Sequence, residues 1–277
     1  MTMITHIEQY AWLIPFGFVL GTCGTLIGAG GGFILMPALL LLYPNESPEI
    51  ITSISLAVVF FNALSGSWAY ARMGRIDYRS GLLFATAAIP GAIVGALSPA
   101  CIPRHLFDVL FGLLMVAGSV FLFLHPGRRK EAAGAERDNH VVKTLVEKNG
   151  VVHNFSFNPK VGVGLSFFVG YISSALGIGG GIVHVPVLVR LLNFPVHIAT
   201  ATSHFILAIM ALTGTLVHIA TGTFSHGVHR TIGLAIGALL GAQVGALLSS
   251  RVKGSWIIRG LAIALGFVGI RLLTLVL

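Results

Sequence analysis

Charge is the scarcest property of this sequence: 9% of its 277 residues are Asp, Glu, Lys or Arg, while 55% are hydrophobic and the mean hydropathy is +0.91. So apolar a balance excludes a soluble domain of this length and places the chain in a bilayer. Seven stretches carry no charged residue at all, namely 10–45, 50–71, 80–103, 109–127, 161–189, 191–229 and 231–250. Each approaches or exceeds the ~20 residues needed to cross a hydrocarbon core. An eighth, 255–277, holds only Arg259 and Arg271, near its ends where long side chains snorkel to the interface.

Other absences narrow the function. Acids are missing from the apolar stretches: Asp77 sits in a basic loop, and Asp108 follows Pro103-Arg104 at the start of a helix. Carriage of Na⁺ or a metal draws on carboxylates within the membrane, so a cation carrier is disfavoured. Cys23 and Cys101 support neither a disulfide framework nor a metal site, and both read as small hydrophobes. No glycine run is followed by the Lys-Ser/Thr of a P-loop, and none has dinucleotide spacing after a soluble strand. Histidines within the apolar stretches lack metal spacing and carboxylate support, which disfavours a membrane enzyme and calls for no cofactor. The net charge of +8 arises from basic residues between apolar stretches, not from a patch interleaved with aromatics, so it speaks for topology and against nucleic acid. No basic region precedes the first stretch, which runs past any small-residue cleavage site around Tyr10–Pro15, so we expect it to be retained.

Glycine, by contrast, is abundant and placed with purpose. Gly28-Ala29-Gly30-Gly31-Gly32 and Gly177-Ile178-Gly179-Gly180-Gly181 lie 149 residues apart inside apolar stretches, each followed five residues later by proline, Pro37 and Pro186. Such a run frees backbone N–H and C=O groups that lipid cannot satisfy, so the break must be buried in protein or line a wet cavity. Corresponding breaks in two halves of a chain point to a transporter with a binding site near the membrane midplane. Glycines that merely let helices approach closely are the alternative, but three in succession, repeated and followed by proline, favour the site.

The repeat extends beyond the glycines. Residues 24–42 align with 173–191, 63–67 with 211–215, and 91–96 with 241–246, at an offset that stays between 148 and 150. We therefore divide the chain into a first transmembrane repeat (1–125), a polar inter-repeat loop (126–160) and a second repeat (161–277). The loop sets Arg128, Arg129, Lys130, Arg137, Lys143 and Lys148 against Glu131, Glu136, Asp138 and Glu147. Its second part alternates apolar and polar residues around Asn149-Gly150, a pairing suited to a type I′ turn, so it reads as a β-hairpin or a disordered linker. The glycine stretches are either re-entrant or cross once. Counting Lys and Arg favours re-entrance, with the two halves inverted and the 126–160 loop cytoplasmic. The expected fold is an all-α polytopic membrane protein, each repeat a glycine-broken segment plus about three spanning helices.

If a half-helix begins at each glycine run, its N–H groups and positive dipole end face into the break and suit an anion. Candidate binding groups are Gly28, Gly30, Gly31, Gly32, Gly177, Gly179, Gly180 and Gly181. Hydroxyl and amide side chains gather after each break: Thr52, Ser53, Ser55, Asn62 and Ser65, then Thr200, Thr202, Ser203 and Thr213. Of these Thr52, Ser55, Thr202 and Ser203 are candidate ligands, although single Ser and Thr residues also bond helix carbonyls. His184 and His204 align with Leu35 and Leu56, an asymmetry that makes them proton-coupling candidates, with His204 also a substrate ligand. Neutral histidines bonded between helices are the alternative. His197, His226 and His229 are expected in loops.

The two glycine segments, the Thr-Ser segments 52–55 and 200–203, and the glycine-rich helices at 90–96 and 240–246 resemble the TauE/SafE family of sulfite exporters and related sulfonate or anion permeases. The resemblance spans nearly the whole chain outside 126–159. It implies a multi-pass permease of a bacterial-type inner membrane exporting sulfite or a sulfonate such as sulfoacetate, driven by protons or the substrate gradient. An uncoupled anion channel remains the competing class.

Overall fold

The computed structural model describes residues 12–124 and 140–276. Tyr10 and the charged positions Arg128, Arg129, Lys130, Glu131, Glu136, Arg137 and Asp138 lie outside the described residues. The first half contains α1 (Leu13–Ile27), α2 (Gly32–Leu42), α3 (Pro48–Met73), α4 (Tyr78–Leu97) and α5 (Arg104–Leu124). A hairpin follows, β1 (Val141–Val146) paired antiparallel with β2 (Val152–Phe157). The second half contains α6 (Pro159–Ala175), α7 (Gly181–Pro186), α8 (Val196–Ala220), α9 (Val228–Ser249) and α10 (Gly254–Val276).

Local sequence accounts for the boundaries. Ser47 caps α3 by accepting from the Ile50 N–H, with Pro48 at the first helical position, and Asp77 and Asn158 cap α4 and α6 in the same manner. Helices α3, α4, α5, α8 and α9 are long and apolar enough to cross a membrane, and shorter apolar helices accompany them. Large apolar side chains such as Val19, Phe168, Leu247 and Phe267 face outward, as a lipid-facing surface requires.

Contacts fix which end of the bundle each segment reaches. The hairpin marks one end: the Lys148 N–H donates to the Met73 carbonyl at 3.1 Å, and Lys143 pairs with Asp77 at 2.7 Å. Glu46 marks the other, its carbonyl accepting from Arg104 at 2.8 Å and its carboxylate from Arg230 at 2.9 Å. Helix α6 leaves directly from β2, and the chain after α7 returns to Phe194, whose ring lies 4.5 Å from Phe155 and 5.0 Å from Phe157. The second glycine segment thus begins and ends at the hairpin end. Helix α1 runs beside α9 in the same direction, Gly17 against Leu234 and Gly21 against Ala238, so it starts near Arg230, and α2 leads back to Glu46. The first glycine segment begins and ends at the opposite end.

Neighbour relations repeat between the halves. Helix α1 lies along α9 as α6 lies along α4, α3 touches α9 as α8 touches α4, and α3 meets α8 while α5 meets α10. The glycine-rich stretches of α4 and α9 serve close approach: a Cβ on Gly91 or Gly95 would strike the α6 backbone, and one on Gly237 or Gly241 the α1 backbone.

Two expectations need correction. The β-turn is not type I′. Asn193 is the one described non-glycine residue with positive φ, so Asn149 stays right-handed, Gly150 alone takes φ 85°, and its N–H returns to Glu147 at 2.9 Å. This is a type I turn followed by a left-handed glycine. His197 and His229 lie in the first turns of α8 and α9 rather than in loops.

Candidate functional site

The two breaks meet inside the bundle. Each begins with a left-handed glycine, Gly28 at φ 85° and Gly177 at φ 66°, and ends with another, Gly31 at 78° and Gly180 at 91°. Side chains avoid this region by roughly 1–2 kcal/mol per residue, so glycine is what allows the reversal. A Cβ on Gly32 would lie 2.6 Å from the Ile178 carbonyl oxygen, and one on Gly181 would strike that of Gly28. The start of each half-helix thus faces the backbone of the opposite break. Val59 and Leu207 close over Gly30 and Gly179.

Within each break the backbone satisfies only its first part. Ala29 and Gly30 donate to Gly24 at 2.8 and 3.1 Å, and Ile178 donates to Ser173 at 3.1 Å. The N–H groups of Gly31, Gly32 and Phe33, and those of Gly180, Gly181 and Ile182, find no backbone or side-chain acceptor among the described residues. They are the orphan donors that any helix start exposes, held here in a fully buried place.

The serines bind the breaks to the helices that cross beside them. Ser55 donates to the Gly177 carbonyl at 2.6 Å and Ser203 to the Gly28 carbonyl at 3.4 Å. Each hydroxyl proton is therefore committed to the other half's break in this closed arrangement. Thr52 lies against Gly177 but donates to its own helix at Glu49. Thr202 does not join the breaks: its Oγ1 accepts from the Asp77 N–H at 3.1 Å and fastens the turn before α4. His184 lies apart as well, its Nε2 3.2 Å from Ser166 Oγ on α6.

His204 does reach the first break. Its Nε2 is 3.2 Å from Thr25 Oγ1, which donates to Asn62 Oδ1 at 2.9 Å, while the Tyr70 hydroxyl donates to the Thr25 carbonyl at 2.7 Å. The Tyr70 ring meets the imidazole edge-on at 5.6 Å. At the equivalent places around the second break stand Leu56, Ser174, Met210 and His218, so this buried polar cluster serves the first break alone. Sequence reasoning noticed Asn62 without singling it out and missed Ser173 and Ser174, whose buried hydroxyls have no partner beside the second break. The one available signal was that Ser173 aligns with Gly24.

A groove of about 730 Å³ lies elsewhere, on the outer face of α3, α8 and α9, lined by Phe60, Trp68, Tyr78, Phe205 and Leu212. Its apolar walls suit lipid or another helix rather than an anion. Among the described residues no three His, Cys, Asp or Glu side chains converge as metal ligands.

Comparison with known proteins finds membrane transporters. The chain is 32% identical over 217 residues to the probable membrane transporter protein YunE of Bacillus subtilis, covering 76% of this chain and 78% of that one. It is 24% identical to a probable membrane transporter protein of Methanocaldococcus jannaschii, over 75% and 71% of the two chains, and 30% identical to one of Xylella fastidiosa, over 72% and 69%. No solved structure matches. The profile of the family described as Sulfite exporter TauE/SafE matches residues 13–272, and with its apolar helices and paired glycine breaks the chain belongs to that family of membrane transporters.

Proposed function

We propose that this protein is a permease exporting a small oxyanion, sulfite or a sulfonate such as sulfoacetate, through alternating exposure of a site between its two glycine breaks. The observation that carries the reading is the convergence of two half-helix starts, each with orphan N–H groups, in a membrane interior where the described helices hold no free acid. A positive dipole end worth about half an elementary charge, together with unpaired N–H donors, favours an oxyanion over a cation. The family description names sulfite, and the B. subtilis relative is named as a transporter.

In this reading the halves are inverted repeats. The closed contact of the breaks is the state between two openings, and transport rocks one half against the other so that each break parts in turn. Ser55 and Ser203 hold the facing break in place. Of the two histidine candidates, His204 is the proton-coupling group because its cluster adjoins a break, whereas His184 faces Ser166. The membrane is the bacterial-type inner membrane, with the hairpin end cytoplasmic. An uncoupled channel is disfavoured by side chains sealing both breaks.

Flux through proteoliposomes tests the reading. Saturable sulfite or sulfoacetate flux, responsive to an imposed pH gradient and absent for Na⁺, is expected. Flux that never saturates would instead mark a channel, and no flux of any of these anions would overturn the reading.

A further inference from the structure

We infer that the transported anion is held asymmetrically, at the first break, with the Asn62 carboxamide as a direct ligand beside the N–H groups of Gly31, Gly32 and Phe33. The inference rests on the permease reading above and names the group that would recognise the substrate. Asn62 lies on α3 and is 1% exposed. Its Oδ1 accepts from Thr25, and its Nδ2 has no partner. A Cβ on Gly31 would sit 3.8 Å from that Nδ2, so the orphan amide and the orphan helix start are neighbours.

Both observations point to a missing acceptor. A buried amide donor without a partner is costly, and buried polar groups are otherwise almost always paired. Thr25 fixes which way the carboxamide points, since its hydroxyl holds Oδ1 and leaves the NH₂ directed elsewhere. Thr25 in turn meets His204 and Tyr70 through its hydroxyl and carbonyl, so the donor stands on a buried scaffold.

Asymmetry follows from the second break. The residue equivalent to Asn62 there is Met210, whose thioether offers no donor and whose methyl lies beside Gly180 as the Asn62 amide lies beside Gly31. The half-helix that follows is also weaker. Helix α2 runs unbroken for 11 residues, whereas α7 has 6 before passing into a π-helical turn at Val187–Leu191. The longer helix with the carboxamide beside it is the stronger anion seat, and an oxyanion has oxygens enough to take both kinds of donor. The second break then serves as the opposing wall that parts from it.

The test compares sulfite flux in proteoliposomes for the wild type, Asn62→Ala, the near-isosteric Asn62→Leu and Met210→Leu, with chloride as the control anion. Losing a hydrogen bond to a charged ligand is expected to raise the sulfite KM about ten-fold or more in either Asn62 variant. Met210→Leu should leave it within two-fold. Saturable wild-type flux with an unchanged KM in a folded Asn62 variant would overturn the inference and spare the permease reading. Absence of saturable flux in the wild type would overturn both. Should neither variant fold, side-chain amide resonances of asparagine-labelled wild type settle it: the Asn62 NH₂ signal must move on sulfite titration, and one that stays still rejects the assignment.

Discussion

Ser55 donates its hydroxyl to the Gly177 carbonyl 122 residues away at 2.6 Å, and Ser203, its counterpart in the second half, reaches the Gly28 carbonyl at the longer distance of 3.4 Å. The two bonds are the same device used twice, but they are unequal. Hydrogen-bond strength falls steeply towards such long separations.

Ser55→Ala strips a buried carbonyl of its donor, at a cost of about 1–3 kcal/mol, while Ser203→Ala costs less. Thermal unfolding in detergent should therefore show a larger drop in Tm for Ser55→Ala. Equal drops would mean that the two contacts are equivalent and that the difference in length carries no energy.

Gly31→Val and Gly180→Val each put a branched side chain at positive φ. The Cβ on Gly31 would be 2.9 Å from the Leu20 carbonyl oxygen, and that on Gly180 2.7 Å from Ser173 Oγ. The side chain would also cover the orphan N–H groups, so flux is expected to vanish while the protein still inserts. Gly164→Val is the control, because a Cβ there meets nothing within 4 Å. Normal flux in both break variants would remove the breaks from the site.

What was legible in the sequence followed from repetition. A glycine run that recurs with its proline at a constant offset marks both breaks without any knowledge of contacts. Alternation in 141–157 allowed a hairpin but left a disordered linker equally open, because docking on Met73 and Phe194 is what holds the strands. The turn type was misread because a tertiary bond, Lys148 N–H to Met73, holds a loop in which only Gly150 needs positive φ. Thr202 looked like Ser203's companion, yet successive helical residues point in different directions, and its partner Asp77 is 125 residues away. The Asn62 carboxamide was visible as a polar residue in an apolar helix. Its lack of a partner is a property of three helices together and could not be read from one.

His204→Gln should flatten the pH dependence of flux, and His184→Gln should leave it intact. His204 is met by Thr25 from α1 and by Gly66 and Tyr70 from α3, so a proton gained there acts directly on the groups behind the first break. His184 contacts Ser166 within its own half. Gln keeps a hydrogen-bonding group at either place but cannot titrate. The measurement is initial flux across a series of internal pH values, and a profile unchanged in His204→Gln would return that residue to a structural role.

The hairpin's attachment supplies a test that does not depend on substrate. Glu147 accepts from Arg75 Nε at 2.8 Å and from His153 Nε2 at 2.7 Å, with Arg75 itself only 6% exposed. Burial pushes the Glu147 carboxyl up, but the hydrogen bonds and charges of Arg75 and His153 outweigh it and hold the group below the usual carboxylate range. A lowered value in the folded state means that the ionised carboxylate stabilises docking throughout the range above the ordinary carboxylate pKa. That stabilisation is lost only as the pH falls through the depressed value, so the hairpin should stay docked at neutral and mildly acidic pH. Glu147→Gln removes the charge at every pH and leaves Arg75 buried without its counterion, which is the costly way to break a buried pair. Amide exchange across β1 and β2 should then be fast already at neutral pH, and the acid-dependent step expected of the wild type should disappear. Slow exchange in the variant would show that Phe155 and Phe157, packed against Phe194 and Phe84, hold the hairpin without help from the ion pair.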